Sequence, residues 1–268
     1  MRKRSDFVGL QLTPKILSVL QEVNDYGFRT ISELRQGVLK SEGREWAWRI
    51  MKRLVTANLV RVVHDSTGAH LGWSPHTRTK SILLQHGLSS IVEDAKPPKY
   101  STSFQHDMEV RWILDHFKKF STVKKIVPES KLKRDAFIGI RGQRRREINR
   151  ILSLIPDARI TIQSDGHTYE VALEVELTQK THERIQTKLE HYIAKSGYDF
   201  VIYVCADERI YSLIRRNYDW VFENSPTVKF ADQKTEIYLC LHQQLKSNFL
   251  KTKLRSRSDE FIVCELAS

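Results

Sequence analysis

The chain of 268 residues carries 44 Lys and Arg residues against 32 Asp and Glu residues, which gives a formal net charge of +12. Hydrophobic residues make up 40% of the chain and charged residues 28%, a composition typical of a globular protein with a sizeable core. No apolar run approaches the ~20 residues of a membrane span, and the length favours two domains. The positive charge favours a polyanionic partner, nucleic acid before membrane.

Cysteine usage and missing motifs narrow the class further. Cys205, Cys240 and Cys264 lie far apart without a CxxC pair, so we expect reduced thiols and a cytoplasmic protein. The apolar stretch after the basic N-terminus is too short to predict a signal peptide. The glycine-rich phosphate and dinucleotide motifs and the serine-hydrolase motif are absent from the sequence, which argues against those three chemistries.

Three helical stretches open the chain. Thr13 is an expected N-cap, with Pro14 at the first helical position and apolar residues following at helical spacing. Thr30 can cap a short second helix, and a longer third helix is expected over residues 44–58. On this third helix, several cations share the side opposite the apolar residues.

A hairpin with strands at residues 59–63 and 71–73 follows, and then a helix at residues 77–85. Helix–helix–helix–hairpin is the order of a winged helix, whose third helix can enter the major groove of DNA. We therefore expect a winged helix-turn-helix domain at residues 1–87 and a linker rich in Pro and Ser at residues 88–103. The alternative is a solvated helix face on a protein-binding domain. The cations expected to contact DNA are Arg44, Arg49, Lys52, Arg53 and Arg61.

The pattern changes at residue 104, and residues 104–268 predict a second, α+β or α/β domain with a mixed sheet. A helix is expected over residues 104–120 and a strand over residues 122–127. Residues 131–150 are rich in Lys and Arg and predict a basic loop that follows a DNA strand, or else a flexible solvated insert. The cations of this loop that we expect to contact DNA are Arg144, Arg145 and Arg146.

A β-hairpin carries the most informative side chains of this domain. A tight turn at Asp165 and Gly166 pairs residues whose numbers add to about 331, which places Asp157 beside Glu174. Glu176 shares a face with Glu174 because side chains alternate along a strand. Three carboxylates at one place form an oxygen-rich site suited to Mg²⁺ or Mn²⁺, which can activate water and stabilise charge on a phosphodiester.

The alternative for these acids is a solvated sheet edge at which neighbouring Lys and Arg side chains balance them. The Pro156-Asp157 dipeptide, the separation of the acids across a hairpin and the flanking helices favour the metal site. Residues 180–195 predict the helix that follows, and residues 200–205 predict a buried strand.

The stretch Pro156-Asp157 … Glu174-Val175-Glu176 resembles the PD-(D/E)xK nuclease superfamily. Its helix–strand–strand–strand–helix–strand core carries PD on one strand and (D/E)xK on the next. The sequence departs from that pattern at Glu176, which stands in place of Lys. Lys180, at the start of the next helix, can reach the same site and substitute for it.

A longer string resembles the MobC-type plasmid mobilisation relaxases and their replication-relaxation relatives, which join a winged helix to a PD-(D/E)xK-like domain. The string reads Glu174-x-Glu176-x-Thr178-x-Lys180-x-x-x-Arg184-x-x-x-Lys188-x-x-x-Tyr192. The resemblance implies a restriction-endonuclease-like domain that nicks one strand of plasmid DNA at an origin of transfer. Implied partners are double- and single-stranded plasmid DNA and relaxosome accessory and coupling proteins, without membrane insertion.

The same resemblance implies roles for individual residues. Asp157 and Glu174 are expected to bind Mg²⁺ or Mn²⁺, with the carbonyl of Val175 as a further ligand. The helix at residues 104–120 offers Glu109 or His106 to complete the shell. The attacking water is expected to be oriented or deprotonated by Glu176 or Lys180, and phosphates to be held by Arg184 and Lys188.

Two other functions stay open. Glu176 in place of Lys favours an inactive, DNA-binding regulator or relaxosome accessory protein. The third function is another PD-(D/E)xK nuclease, acting in defence, repair or transposition. The sequence has no HxH pair, so the histidine–metal and tyrosine mechanism of other relaxases is not expected. Residues 207–268 predict a further helix, one or two strands and a basic tail, with no assigned role.

Overall fold

The computed structural model describes residues 10–64, 67–88, 104–139, 145–231 and 235–267. The chain divides into two compact units, Met1–Gln105 and His106–Ser268. Within the described ranges, no helix combines the length and the apolar character that crossing a membrane requires.

The first unit contains helices and a two-stranded antiparallel sheet in the order that the sequence predicts. Its described elements are α1 (Pro14–Tyr26), α2 (Ile31–Gln36), α3 (Arg44–Thr56), β1 (Val60–His64), β2 (His70–Pro75) and α4 (Thr77–Gln85). The expected caps are present: the Thr13 hydroxyl accepts from the backbone N–H of Ile16, and Thr30 forms a capping box with Glu33. The linker expected at residues 88–103 lies outside the described residues except for Leu88.

The core of the first unit forms between the helices and the hairpin. The backbone N–H and carbonyl groups of Trp73 both bond to Arg29 at 2.8 Å, which ties β2 to the segment between α1 and α2. Trp73 is 1% exposed and packs with the buried side of α3, which includes Met51 and Leu54. The apolar side of α3 therefore faces the core and leaves its cations on the outside.

The second unit is built on one mixed sheet. Its described elements are α5 (Phe104–Phe117, which begins two residues before the unit), β3 (Val123–Pro128), α6 (Glu129–Gly139), α7 (Arg145–Ser153), β4 (Ala158–Ser164), β5 (His167–Glu176), α8 (His182–Lys195), β6 (Phe200–Cys205), α9 (Glu208–Asn224), α10 (Pro226–Lys229), β7 (Glu236–Leu241), α11 (His242–Ser247), β8 (Lys253–Arg255) and β9 (Glu260–Ile262). Short 3₁₀ turns lie at Phe249–Lys251 and Val263–Ala267.

The seven described strands lie side by side in the order of the chain, β3 to β9. The pairs from β3 to β5 and from β7 to β9 are antiparallel, whereas β5, β6 and β7 are parallel. Helices α8 and α9 share a buried core with β6 and β7 that includes Leu189, Leu213 and Ile237. The expected mixed α+β domain with a mixed sheet is confirmed.

The register of the central hairpin also follows the prediction. Asp165 and Gly166 both have positive φ, 49° and 77°, as the two central residues of a type I′ turn require. Strand pairing runs from Ser164 opposite His167 to Ala158 opposite Leu173 without a shift. The next position in this register brings Asp157 beside Glu174.

Two predictions for this unit are wrong. The basic loop expected at residues 131–150 is helical over its described residues, α6 and α7. Ion pairs one helical turn apart, Lys131 with Asp135 and Lys133 with Glu129, stabilise α6. The C-terminal region contributes three strands, β7 to β9, rather than one or two. Arg144 lies outside the described residues, as do the side chains of Arg145 and Arg146.

Candidate active site

The candidate site is centred on the carboxylates of Asp157 and Glu174. Asp157 immediately precedes β4 and is 9% exposed, while Glu174 lies near the end of β5 and is 4% exposed. The Oδ2 atom of Asp157 accepts a hydrogen bond of 2.7 Å from the backbone N–H of Val175. The backbone of β5 therefore fixes Asp157 beside Glu174.

His106, on α5, reaches the same place from the other direction. Its Nε2 atom lies 2.8 Å from the carbonyl oxygen of Val175 and 3.2 Å from Oδ2 of Asp157. Because a carbonyl oxygen only accepts hydrogen bonds, Nε2 carries a proton. Its Nδ1 atom lies 3.7 Å from a carboxylate oxygen of Asp107.

These neighbours set the charge of His106. Burial alone lowers the pKa of its imidazole, but the polar contacts with Asp107 and Asp157 and the charge of Asp157 outweigh burial and raise that pKa to about 10. Burial has the opposite effect on Asp157 and raises the pKa of its carboxyl group. The hydrogen bond and charge of His106, together with the charge of Lys188, outweigh burial and bring that pKa below its ordinary value. At neutral pH the two groups form an ion pair.

Glu174 is held by α8. The Nζ atom of Lys188 lies 2.7 Å from both carboxylate oxygens, and the Tyr192 hydroxyl donates to one of them. Lys188 and Tyr192 are one helical turn apart, so both side chains project from the same side of α8. Burial raises the pKa of Glu174 to about 7, because Lys188 offsets only part of the cost of burying the charge and Asp157 adds repulsion.

The structure also locates the predicted partners on and before α8. Lys188 was expected to hold a phosphate, but its ammonium is directed at Glu174 and its side chain is only 21% exposed. Arg184 is exposed on the same helix. Lys180 forms an ion pair of 3.0 Å with Glu176. In the described ranges, neither Arg184 nor Lys180 makes a hydrogen bond or ion pair with Asp157 or Glu174.

Glu109 does not join the two carboxylates. Its Oε2 atom lies 2.9 Å from Nε2 of His242 and 2.7 Å from Nζ of Lys246, both on α11. Among the described residues, no three or more His, Cys, Asp and Glu side chains are grouped to hold a metal ion. Glu109 is therefore held by two partners on α11 that the sequence did not reveal, and not beside Asp157 and Glu174.

Oxygen donors for a cation nevertheless meet at the site. They are the carboxylates of Asp157 and Glu174 and the carbonyl of Val175, which are hard ligands of the kind that Mg²⁺ and Mn²⁺ prefer. Mg²⁺ commonly binds proteins through one or two carboxylates and completes its shell with water. This donor set fits a divalent ion of that class without a third side chain.

Sequence reasoning missed the role of Tyr192, which it named as the last residue of the relaxase-like string. Tyr192 is fully buried, and its hydroxyl donates a hydrogen bond to the carboxylate of Glu174. The signal was available in the Lys188-x-x-x-Tyr192 spacing, which places two hydrogen-bond donors on one side of a helix after an acidic strand. His242 lies 133 residues from Glu109 and gave no comparable signal.

The predicted DNA-contacting face of the first unit is solvent-accessible. Arg44, Arg49, Lys52 and Arg53 are all exposed on α3, and Arg61 is exposed on β1. A surface groove runs along α3, lined by Arg44, Glu45, Trp48, Arg49 and Lys52. Trp48 is half-buried, and its ring centroid lies 4.9 Å from that of His70 on β2. The face thus carries four exposed cations on one helix.

No protein-family model and no curated protein matches the chain. Among solved structures, the chain is similar to the restriction endonuclease FokI bound to DNA, with 10% identity, a TM-score of 0.29, and coverage of 89% of this chain and 45% of that one. It is also similar to the pre-specific restriction endonuclease BsaWI in a complex with DNA, with 14% identity, a TM-score of 0.26, and coverage of 74% and 72%. The chain therefore spans less than half the length of FokI, and TM-scores of this size do not establish a common fold.

Proposed function

We propose that the chain is a metal-dependent DNA endonuclease whose active site contains Asp157, Glu174 and the carbonyl of Val175. The observation that carries this proposal is the meeting of two buried carboxylates at adjoining ends of β4 and β5. Burying two acids side by side costs free energy, and apolar residues at these positions would serve the fold without that cost. Such perturbed groups are concentrated at functional sites. The net charge of +12 favours a polyanionic substrate.

The chemistry follows from the donor set. A divalent ion held by Asp157, Glu174 and the Val175 carbonyl would lower the pKa of a bound water and neutralise charge on the attacked phosphate. Lys188 stabilises the ionised form of Glu174 and adds a positive charge beside the site. We infer that Lys188 serves in place of the lysine that the PD-(D/E)xK pattern has at position 176.

The order of elements in the second unit supports a restriction-endonuclease-like fold as part of the proposal. Helix α5, strands β3, β4 and β5, helix α8 and strand β6 follow the helix–strand–strand–strand–helix–strand order of the PD-(D/E)xK pattern. Helices α6 and α7 are an insertion between its first two strands. Pro156-Asp157 then lies immediately before β4, and Glu174 lies on β5.

At a finer level, we propose that the enzyme nicks one strand of plasmid DNA at an origin of transfer, as the resemblance to MobC-type relaxases implies. The first unit, as a winged helix, would dock on duplex DNA through α3 and set the position of the cut. Relaxosome accessory and coupling proteins would be its partners in the cytoplasm. The buried Tyr192 hydroxyl donates to Glu174, so this tyrosine offers no support for a covalent tyrosine mechanism.

A second function is favoured by a specific observation. Both carboxylate oxygens of Glu174 already have protein donors, Lys188 and Tyr192, and Glu176 replaces the pattern lysine. A site whose ligands are satisfied internally is what an inactive, DNA-binding regulator or accessory protein would retain.

Nicking of supercoiled plasmid DNA separates the two. Wild-type protein with Mg²⁺ or Mn²⁺ is expected to produce open circles, and Asp157→Asn is expected to reduce the rate by about 10²-fold or more, because the amide cannot neutralise the metal. Asp165→Asn, on the exposed hairpin turn, is the matched control and should cut at the wild-type rate.

The products and the binding data identify the function. A single mapped nick in the origin region supports a relaxase, while cuts in both strands at unrelated sites support a general nuclease. Duplex binding equal in wild type and Asp157→Asn, without cleavage in either metal, would instead support the regulator.

A further inference from the structure

His106 occupies a place that the proposed metal also needs. Its Nε2–H is within hydrogen-bond distance of Oδ2 of Asp157 and the carbonyl oxygen of Val175. These are two of the three oxygen donors of the candidate site. The imidazole of His106 therefore contacts the oxygen atoms that the cation itself would bind.

A hydrogen-bond donor and a cation cannot share the same lone pairs. Mg²⁺ binds oxygen at about 2.0–2.1 Å and approaches a carbonyl or carboxylate oxygen along the same lone-pair directions that an N–H donor uses. The proton on Nε2 points at the Val175 oxygen, since that oxygen only accepts. A divalent ion held by Asp157 and the Val175 carbonyl would compete with this proton for the same oxygens.

We propose that His106 is an internal competitor of the metal, which fills the position between Asp157 and the Val175 carbonyl until a divalent ion displaces it. The inference rests on the proposed function in that these oxygens are taken to bind such an ion. It reverses the role expected from the sequence, in which His106 completes the metal shell. The two roles predict opposite effects of removing the imidazole.

Direct Mn²⁺ binding to the full chain, measured by titration calorimetry and by the electron paramagnetic resonance signal of free Mn²⁺, tests the proposal without relying on activity. His106→Ala is expected to bind Mn²⁺ about tenfold more tightly than wild type, since no hydrogen bonds to the two oxygens must be broken. His106→Leu fills more of the space left by the imidazole and has no N–H, so it should also bind Mn²⁺ more tightly than wild type. This variant provides the measurement if His106→Ala folds poorly. His167→Ala, at the exposed end of the central hairpin, should bind as wild type does.

The remaining outcomes overturn the proposal in distinguishable ways. If His106→Ala and His106→Leu bind Mn²⁺ as wild type does or more weakly, His106 is no competitor, and weaker binding would make it a ligand. Adding Asp157→Asn to His106→Ala should abolish the tightened binding, and its persistence would place the ion elsewhere. If neither wild type nor the His106 variants bind Mn²⁺, the proposed metal-dependent function fails and the inference with it.

Discussion

Nζ of Lys188 lies 2.7 Å from the carboxylate of Glu174, so a helix cation and a strand acid form an ion pair in the interior of the second unit. Tyr192, one turn further along α8, donates to the same carboxylate. Each of these charges has lost most of its hydration on burial. Removing either partner would therefore leave the other charge buried and uncompensated, which costs free energy of folding. The pair therefore links the stability of the α8–β5 contact to the charge state of the candidate site.

Lys188→Met should destabilise the second unit by about 2–3 kcal/mol at alkaline pH, where a buried Glu174 carboxylate would be left without its counter-charge. The cost should shrink as the pH falls toward 7, because Lys188 lowers the pKa of Glu174: without this lysine the pKa lies above its wild-type value of about 7, and the buried carboxyl group takes up a proton at a higher pH than in the wild type. Native-state hydrogen exchange of amides on β5 and β6 reports the free energy of opening for this unit alone.

Two further variants complete this test. Lys188→Met with Glu174→Gln should recover about 1 kcal/mol or more relative to the sum of the single changes, since neither residue then bears an uncompensated charge. Arg184→Met, exposed on the same helix, should stay within about 0.5 kcal/mol of wild type. An equal loss in Arg184→Met and Lys188→Met would show that helix propensity, not the ion pair, accounts for the effect.

The features that the sequence predicted well are set by residues close together in the chain. Thr13 and Thr30 cap helices through hydrogen bonds to groups three residues away, and the helices begin where these caps place them. Asp165 and Gly166 fix the hairpin turn, and with it the register that brings Asp157 to Glu174. Local chemistry was enough in each case.

The features that the sequence did not reveal depend on contacts between distant segments. Glu109 is held by His242 and Lys246 on α11, and no periodicity in α5 shows such partners. Lys188 belongs to a row of cations on α8, and only the packed helix shows which of them turns toward the sheet. The segment at residues 131–150 was interpreted from its charge, although its ion pairs favour a helix.

His116 should make the second unit less stable in mild acid. Its Nδ1 donates to the carbonyl of Trp112 at 2.8 Å and its ring stacks on Phe249, with centroids 4.7 Å apart. Burial first, and then the positive charges of Lys119 and Lys246, lower the pKa of this imidazole below its ordinary 6.5, despite the Trp112 bond and Asp115. Because the unfolded chain then binds the proton more tightly, stability is lost as the pH falls below about 6.5.

The variant His116→Gln removes this titration. Between pH 7 and pH 5, the free energy of opening from amide exchange on α5 should fall less steeply in His116→Gln than in wild type. Identical slopes in the two proteins would show that His116 does not contribute to the acid sensitivity of this unit.

The cations on α3 should account for much of the salt dependence of DNA binding. If Arg49 and Lys52 each contact one phosphate, changing both to Gln should reduce the slope of log K against log salt concentration by about 1.8, since each contact contributes about 0.9. Fluorescence anisotropy with a labelled 30-base-pair duplex, from about 50 to 200 mM salt, measures the slope.

The matched control for α3 carries the same loss of charge on another helix of the first unit. Arg78 and Lys80 are exposed on α4, and their double change to Gln should leave the slope near that of wild type. Equal reductions in the two double variants would mean that net charge, rather than a specific face of α3, governs binding.

Gly72 should be intolerant of any side chain, because its backbone approaches another segment closely. A Cβ atom at this position would lie 2.4 Å from the carbonyl oxygen of Arg29 and 2.8 Å from the ring of Phe28. That carbonyl is the acceptor for the backbone N–H of Trp73, so the strand cannot move away without breaking the bond. Gly72→Ala should therefore destabilise the first unit by about 2–3 kcal/mol, the usual cost of forced overpacking.

Amide exchange at Arg29 and Trp73 measures this effect within the first unit. Gly43→Ala is the matched control, since a Cβ there meets nothing within 4 Å and its φ of −66° suits any residue. The change at Gly43 should cost about 1 kcal/mol or less, as expected for alanine at a helix N-cap. If Gly72→Ala is tolerated as well as Gly43→Ala, the close approach of β2 to Phe28 and Arg29 is not a constraint on the fold.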